Sequence, residues 1–142
     1  MSTAERNRRN RGFGKGVERA VANILGGQRV PLSGAVKGRE WTLLGDVHVK
    51  NGRGENVAVV ECKGTSGITP KGEKTFVLKK SVLDQAQQEA ESMDAVGAVW
   101  VHWRGANYRQ DDYVILPSGV FIELVEMLKE RGDGGEKGGV GR

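Results

Sequence analysis

Asp46, Glu61 and Lys63 are the residues whose types and spacing suit chemistry. They lie in GDVHVKNGRGENVAVVECK, residues 45–63, where two runs of alternating apolar and polar residues flank a glycine-rich turn. Side chains on a strand point alternately to opposite faces. Val47 and Val49 therefore take one face, and Asp46, His48 and Lys50 the other. On the second run Val60 and Cys62 oppose Val59, Glu61 and Lys63. A hairpin can thus present two acids and a lysine on one side.

The turn decides whether they meet. With Asn51-Gly52 at its centre, Asp46 faces Val57, and Glu61 lies roughly 13 Å further along. With Arg53-Gly54 at its centre, Asp46 faces Glu61 at about 5 Å. The expectation is the second register. Carboxylates that close repel unless a cation lies between them. Hard oxygen ligands of this kind suit magnesium, with manganese as a substitute, and magnesium commonly adds waters and phosphate oxygens to one or two carboxylates. Lys63 would then orient an attacking water or offset charge on a phosphorane-like transition state. The Cys62 side chain should turn to the core, which leaves its backbone carbonyl to reach the metal.

The elements that must hold these residues follow from periodicity. Val17, Val21, Ile24 and Leu25 recur at helical spacing, so a helix is expected over 15–25, stopped by Gly26 and Gly27. Glu18 sits on the edge of its apolar stripe and can offer a third carboxylate. QRVPL reads as a short strand that Pro31 places at an edge or a bulge. TFVLK reads as another short strand, followed by a helix capped by Ser81 with Asp84 at the capping-box position. Its buried stripe would be Val82, Leu83, Ala86, Ala90 and Met93. AVGAVWVHW is apolar and β-branched, as a buried central strand is, with His102 as a satisfied core or rim residue. DYVIL is a further strand, and Ser118 starts a last helix that turns Val120, Phe121, Leu124, Val125 and Leu128 inward and ends before Gly132. This alternation predicts an α/β fold, a mixed β-sheet flanked by α-helices.

Length and charge bound the rest. A chain of 142 residues suits one domain. The net charge of +4 is modest, but its distribution is not even. RNRRNRGFGK, residues 6–15, and KGEKTFVLKK, residues 71–80, are two basic patches suited to phosphate. Residues 1–13 read as a flexible basic arm, 14–131 as a single domain and 132–142 as a disordered glycine-rich tail. The single cysteine excludes an intrachain disulfide and a cysteine-based zinc cage. No signal-peptide core and no apolar run of transmembrane length is present, which points to a cytoplasmic protein without a membrane partner.

Asp46 followed by ECK at 61–63 resembles the D…(D/E)-x-K signature of the restriction-endonuclease-like, or PD-(D/E)xK, nucleases. GKGVERAV at 14–21 is similar to the helix of archaeal and phage-type Holliday junction resolvases that carries an additional catalytic glutamate, and RVPLSG at 29–34 to the short strand and serine loop that follow it. The resemblance runs from about residue 14 to 104, and the segment GTSGITPKGEKT departs from it. It implies a restriction-endonuclease-like fold and a magnesium-dependent DNA endonuclease of recombination and repair. Glu18, Asp46 and Glu61 would form the acidic set around the metal, Lys63 would be the catalytic lysine and Ser33 the active-site serine. Arg29 and the basic arm, with Arg8, Arg9, Arg11 and Lys15, would meet DNA phosphates; the basic patch after the E-x-K strand adds Lys79 and Lys80. The implied partner is branched DNA, a four-way junction, cut by a homodimer with paired nicks that leave 5′-phosphate ends. The alternatives are a restriction or repair nuclease of the same fold, or a DNA-binding module of that fold without activity.

Overall fold

The computed structural model describes residues 2–30 and 47–137. Ser33 and Asp46 lie outside them, as do Pro31 and Leu32 of the QRVPL segment. Eight elements follow in order: α1 (Thr3–Leu25), β1 (Gln28–Arg29), β2 (Val47–Lys50), β3 (Asn56–Thr65), α2 (Lys80–Ser92), β4 (Val96–Trp103), β5 (Tyr113–Ile115) and α3 (Ser118–Lys137). The strands form one mixed sheet in the order β1-β2-β3-β4-β5. Its pairs are antiparallel except β3 with β4, which is parallel. A parallel pair needs a crossover, and α2 lies within the segment that supplies it. The chain is therefore an α/β protein with a mixed sheet flanked by helices. No helix among the described residues is long and apolar enough to cross a membrane.

The core lies between α1 and one face of the sheet. Val17, Val21 and Ala22 of α1 meet Val47, Val60 and Trp100, with Phe13, Ile24, Val49 and Cys62 packed around them. Each fully buried valine contributes about 1.5–3 kcal/mol, so these contacts dominate the placement of α1. On the opposite face α2 approaches β4 so closely that a Cβ at Gly97 would stand 3.0 Å from the Ala86 carbonyl oxygen. Glycine is what lets helix and strand close to that distance.

The hairpin between β2 and β3 has the expected register at its base and a different turn at its tip. Val47 pairs with Val60 and His48 with Val59, the ladder in which Asp46 is next in line toward Glu61 by residue number. The tip is a five-residue loop, with Gly54 N donating to the Asn51 carbonyl, so Gly52 and Arg53 occupy the turn centre instead of Arg53-Gly54. Asn51 Oδ1 accepts from the backbone N–H groups of Arg53 and Glu55, which stabilises this turn. A register shift between Val49 and Lys50 reconciles the loop with the ladder.

Other expectations are corrected. α1 begins at Thr3, through the segment read as a flexible arm. Ser2 caps it: its hydroxyl accepts from Glu5 N–H at 3.1 Å and donates to Glu5 Oε1 at 3.0 Å. The S-x-x-E spacing of a capping box was present in STAE. Residues 2–12 are exposed, so this half of α1 projects from the body. TFVLK forms no strand, and Val77 is exposed; only Ile68 and Lys74 make an isolated bridge. α2 starts at Lys80 without a side-chain cap, so Ser81 and Asp84 do not form the expected box; Asp84 pairs with Lys80 instead. α3 continues past Gly132 to Lys137, through part of the expected tail. Phe121, Leu124 and Leu128, expected to face inward, are exposed.

Two glycines should respond in opposite ways to alanine. A Cβ at Gly64 would stand 2.6 Å from Phe13 Cε2, whereas one at Gly12 meets nothing within 4 Å. Gly64→Ala is expected to cost about 1–3 kcal/mol in urea unfolding through overpacking. Gly12→Ala is expected to favour the helix by about 1 kcal/mol, seen as slower hydrogen exchange of the amides before residue 12.

Candidate active site

Glu61 and Lys63 sit two residues apart on β3, with Lys63 Nζ 3.3 Å from Glu61 Oε2. Alternation explains their pairing on one side. Val60 and Cys62 turn into the α1 core, so their neighbours must face away from it. Across the parallel ladder Glu61 is paired with Val99 and Lys63 with Val101, both buried. Across the antiparallel ladder His48, partner of Val59, shares the face of Glu61 and Lys63. The pair therefore has an apolar wall on the β4 side and the start of β2 on the other. Both side chains are partly exposed, so the ion pair adds only about 0–1 kcal/mol; it orients the ammonium more than it stabilises the fold.

Glu18 belongs to the opposite face. Arg29 in β1 holds it, with Nη2 and Nε at 3.3 and 3.4 Å from the same carboxylate oxygen. Arg29 pairs with Val47, whose side chain is in the α1 core, and this places the Glu18–Arg29 pair at the α1 edge of the sheet. Glu18 is thus seen with Arg29, and Glu61 with Lys63. Cys62 packs against the core, as expected of its side chain. Among the described residues no three of His, Cys, Asp and Glu come together as a metal cage. Asp46, the acid expected opposite Glu61, and Ser33 are outside the described residues. Of the basic residues expected at DNA, Arg8, Arg9, Arg11 and Lys15 lie along α1, Lys79 is the N-cap of α2, and Lys80 makes an exposed pair with Asp84 at 2.9 Å.

Sequence reasoning missed a buried polar network at the end of β4. Asp112, whose side chain is almost wholly buried, accepts from Trp100 Nε1 at 2.8 Å and lies 2.8 Å from His102 Nδ1. The Tyr108 ring stacks on His102 at 3.8 Å. Trp100 and His102 share a face by alternation, which VWVHW announced; nothing local announced Asp112 as their partner. Arg104 lies 3.9 Å over the Phe13 ring, tying this end of the sheet to α1. Burial, then the Asp112 charge, then Cys62, push the Tyr108 hydroxyl above its ordinary 10.0. The network fixes the loop between β4 and β5 and, through Phe13, the middle of α1.

No protein-family model, curated protein or solved structure matches the chain.

Removing Asp112 leaves two buried donors without an acceptor, so Asp112→Ala should lose about 2–4 kcal/mol in urea unfolding. Tyr108 can be read directly: the ultraviolet titration of the native protein minus that of Tyr108→Phe should show an ionisation above 10.0. Because the folded pKa is the higher one, the stability from neutral Tyr108 is fully present below the unfolded pKa and lost as pH rises through the folded value. An unshifted difference titration would contradict the buried stack.

Proposed function

We propose that this chain is a magnesium-dependent DNA endonuclease of the restriction-endonuclease-like type that resolves four-way junctions by paired nicks. The observation that carries the reading is the β2–β3 register. Val47 against Val60 is the ladder the two-acid site requires, and Glu61 and Lys63 share one face of β3 in the D…E-x-K order. The helix–strands–helix–strands–helix order and the mixed sheet also support it.

In this reading Asp46 and Glu61 would hold magnesium, with the Cys62 carbonyl as a further ligand; Glu18, on the α1 side and held by Arg29, would act on the ion only through water at the sheet edge. The donor chemistry fits, since carboxylates and a carbonyl are hard oxygen ligands. The bound ion would supply positive charge to the scissile phosphate and its water. Lys63, already oriented by Glu61 at 3.3 Å, positions the water that attacks phosphorus and offsets charge as the phosphorane forms. The P–O bond to the 3′ oxygen breaks, and the phosphate stays on the 5′ end. Ser33 would be the active-site serine of this reading. Arg8, Arg11, Lys15, Arg29, Lys79 and Lys80 meet phosphates. Two copies would act on opposed strands of a cytoplasmic substrate. The exposed Phe121, Ile122, Met127 and Leu128 of α3 give an apolar surface suited to such self-association.

Cleavage of a synthetic four-way junction, with and without magnesium, tests the reading. Asp46→Asn and Glu61→Gln should abolish cutting while binding is kept or tightened, because these groups repel phosphate when no cation bridges them. Lys63→Ala should also stop cutting. An Asp46 variant that cuts at the native rate would sink the site assignment. Equal affinity for a junction and a matched linear duplex, with cuts at one fixed sequence, would instead favour a restriction-type enzyme.

A further inference from the structure

The basic N-terminal segment is helical, and that changes which of its cations can act together. At about 100° per residue, Arg8, Arg11, Lys15 and Arg19 fall within about 80° of one another. They form one stripe on the side of α1 away from Phe13, Val17 and Val21, which face the sheet. All four are exposed. Among the described residues none of the four makes an ion pair. Arg6 and Arg9 point elsewhere around the helix, by about 175° and 115° from the middle of the stripe. From Arg8 to Arg19 the stripe runs about 16 Å at 1.5 Å per residue. Glu18 borders it, three residues past Lys15, so its inner end reaches one of the candidate site acids.

We infer that this stripe is a rigid rail for a DNA phosphate backbone, set by the helix so that a bound strand is led toward Glu18. The inference rests on the reading of the chain as a DNA-acting protein. It adds Arg19 to the contact set and removes Arg9 from it. Charge alone would also suit an anionic membrane or an acidic protein. Thr3–Gly12 contains a single apolar side chain, Ala4, so it offers no apolar face to a lipid surface. The regular one-sided spacing along a helix matches a repeating charge, and DNA presents one. The projecting half needs no nucleation of its own, because it extends a helix already docked through Phe13, Val17 and Val21.

The test separates a helical rail from a charged arm that merely counts arginines. A fourfold variant, Asn7→Arg, Arg8→Asn, Asn10→Arg and Arg11→Asn, keeps composition and net charge but rotates two arginines off the stripe. All four positions are exposed, so the body of the fold is untouched. Binding of the full chain to a labelled linear duplex and to a labelled four-way junction is measured over a salt series without divalent ions, so that cutting does not enter. The variant should bind about tenfold more weakly near 0.2 M salt, with the log–log salt slope shallower by about 1.8 for two lost phosphate contacts. Arg6→Gln, off the stripe, should change the slope much less. Unchanged binding by the fourfold variant would overturn the rail while leaving the DNA reading in place. Polyglutamate that displaces the DNA at equal charge concentration would assign the stripe to an acidic protein and also overturn it. Failure of the native chain to bind either DNA would overturn the rail and the functional reading together.

Discussion

Strand β3 is paired along both edges, antiparallel to β2 and parallel to β4, and the placement of the other elements follows from that. A strand in this position must satisfy both faces at once, with side chains that alternate strictly. Val60 and Cys62 go to the α1 side, and Val59, Glu61 and Lys63 to the other. A slip of one residue would exchange the two sets and drive a carboxylate and an ammonium into the valine core. Burying such charges costs several kcal/mol each, against which no ion pair at the surface could compete. The apolar contacts of Val47 and Val60 therefore fix the register, and the position of the charged pair is their consequence.

α1 serves two purposes along one continuous helix. Its inner half is held by buried valines and by the Phe13 ring seated over Gly64, the residue directly after Lys63. That contact ties the helix carrying Glu18 to the strand carrying Glu61 and Lys63. The buried Trp100–Asp112–His102 network stiffens the same end of the sheet, and Arg104 closes over Phe13 from outside. The outer half has no such support. Its helicity depends on the Ser2–Glu5 cap and on propagation from the docked half, against the cost of glycines at 12, 14 and 16.

Periodicity made much of this readable from residue types. Alternation in VHVK and VVECK separated core from charged face, and continuous apolarity in AVGAVWVHW marked the most buried strand. Both signals are local and need no partner to be recognised. The missed helix start was also local: the Ser2 hydroxyl caps the helix through the Glu5 N–H and carboxylate, a signal that the abundance of arginines obscured. The turn at residues 51–55 was misread because the Asn51 side chain sets it, and the exposed α3 stripe because local pattern does not say what packs against an element. An apolar face at helical spacing is equally consistent with a core and with a free surface.

By itself the sequence determined the mixed helix and strand content, the face on which Glu61 and Lys63 lie, and the apolar side of α1. Period-two and period-3.6 patterns carry that information directly. Only the tertiary structure decided that Val47 stands against Val60, that Arg29 holds Glu18, and that Asp112 reaches back to Trp100 and His102. Each of these joins residues far apart along the chain, and whether they meet depends on how whole elements pack. That is set by the burial of the shared core and not by anything in the residues' own neighbourhoods.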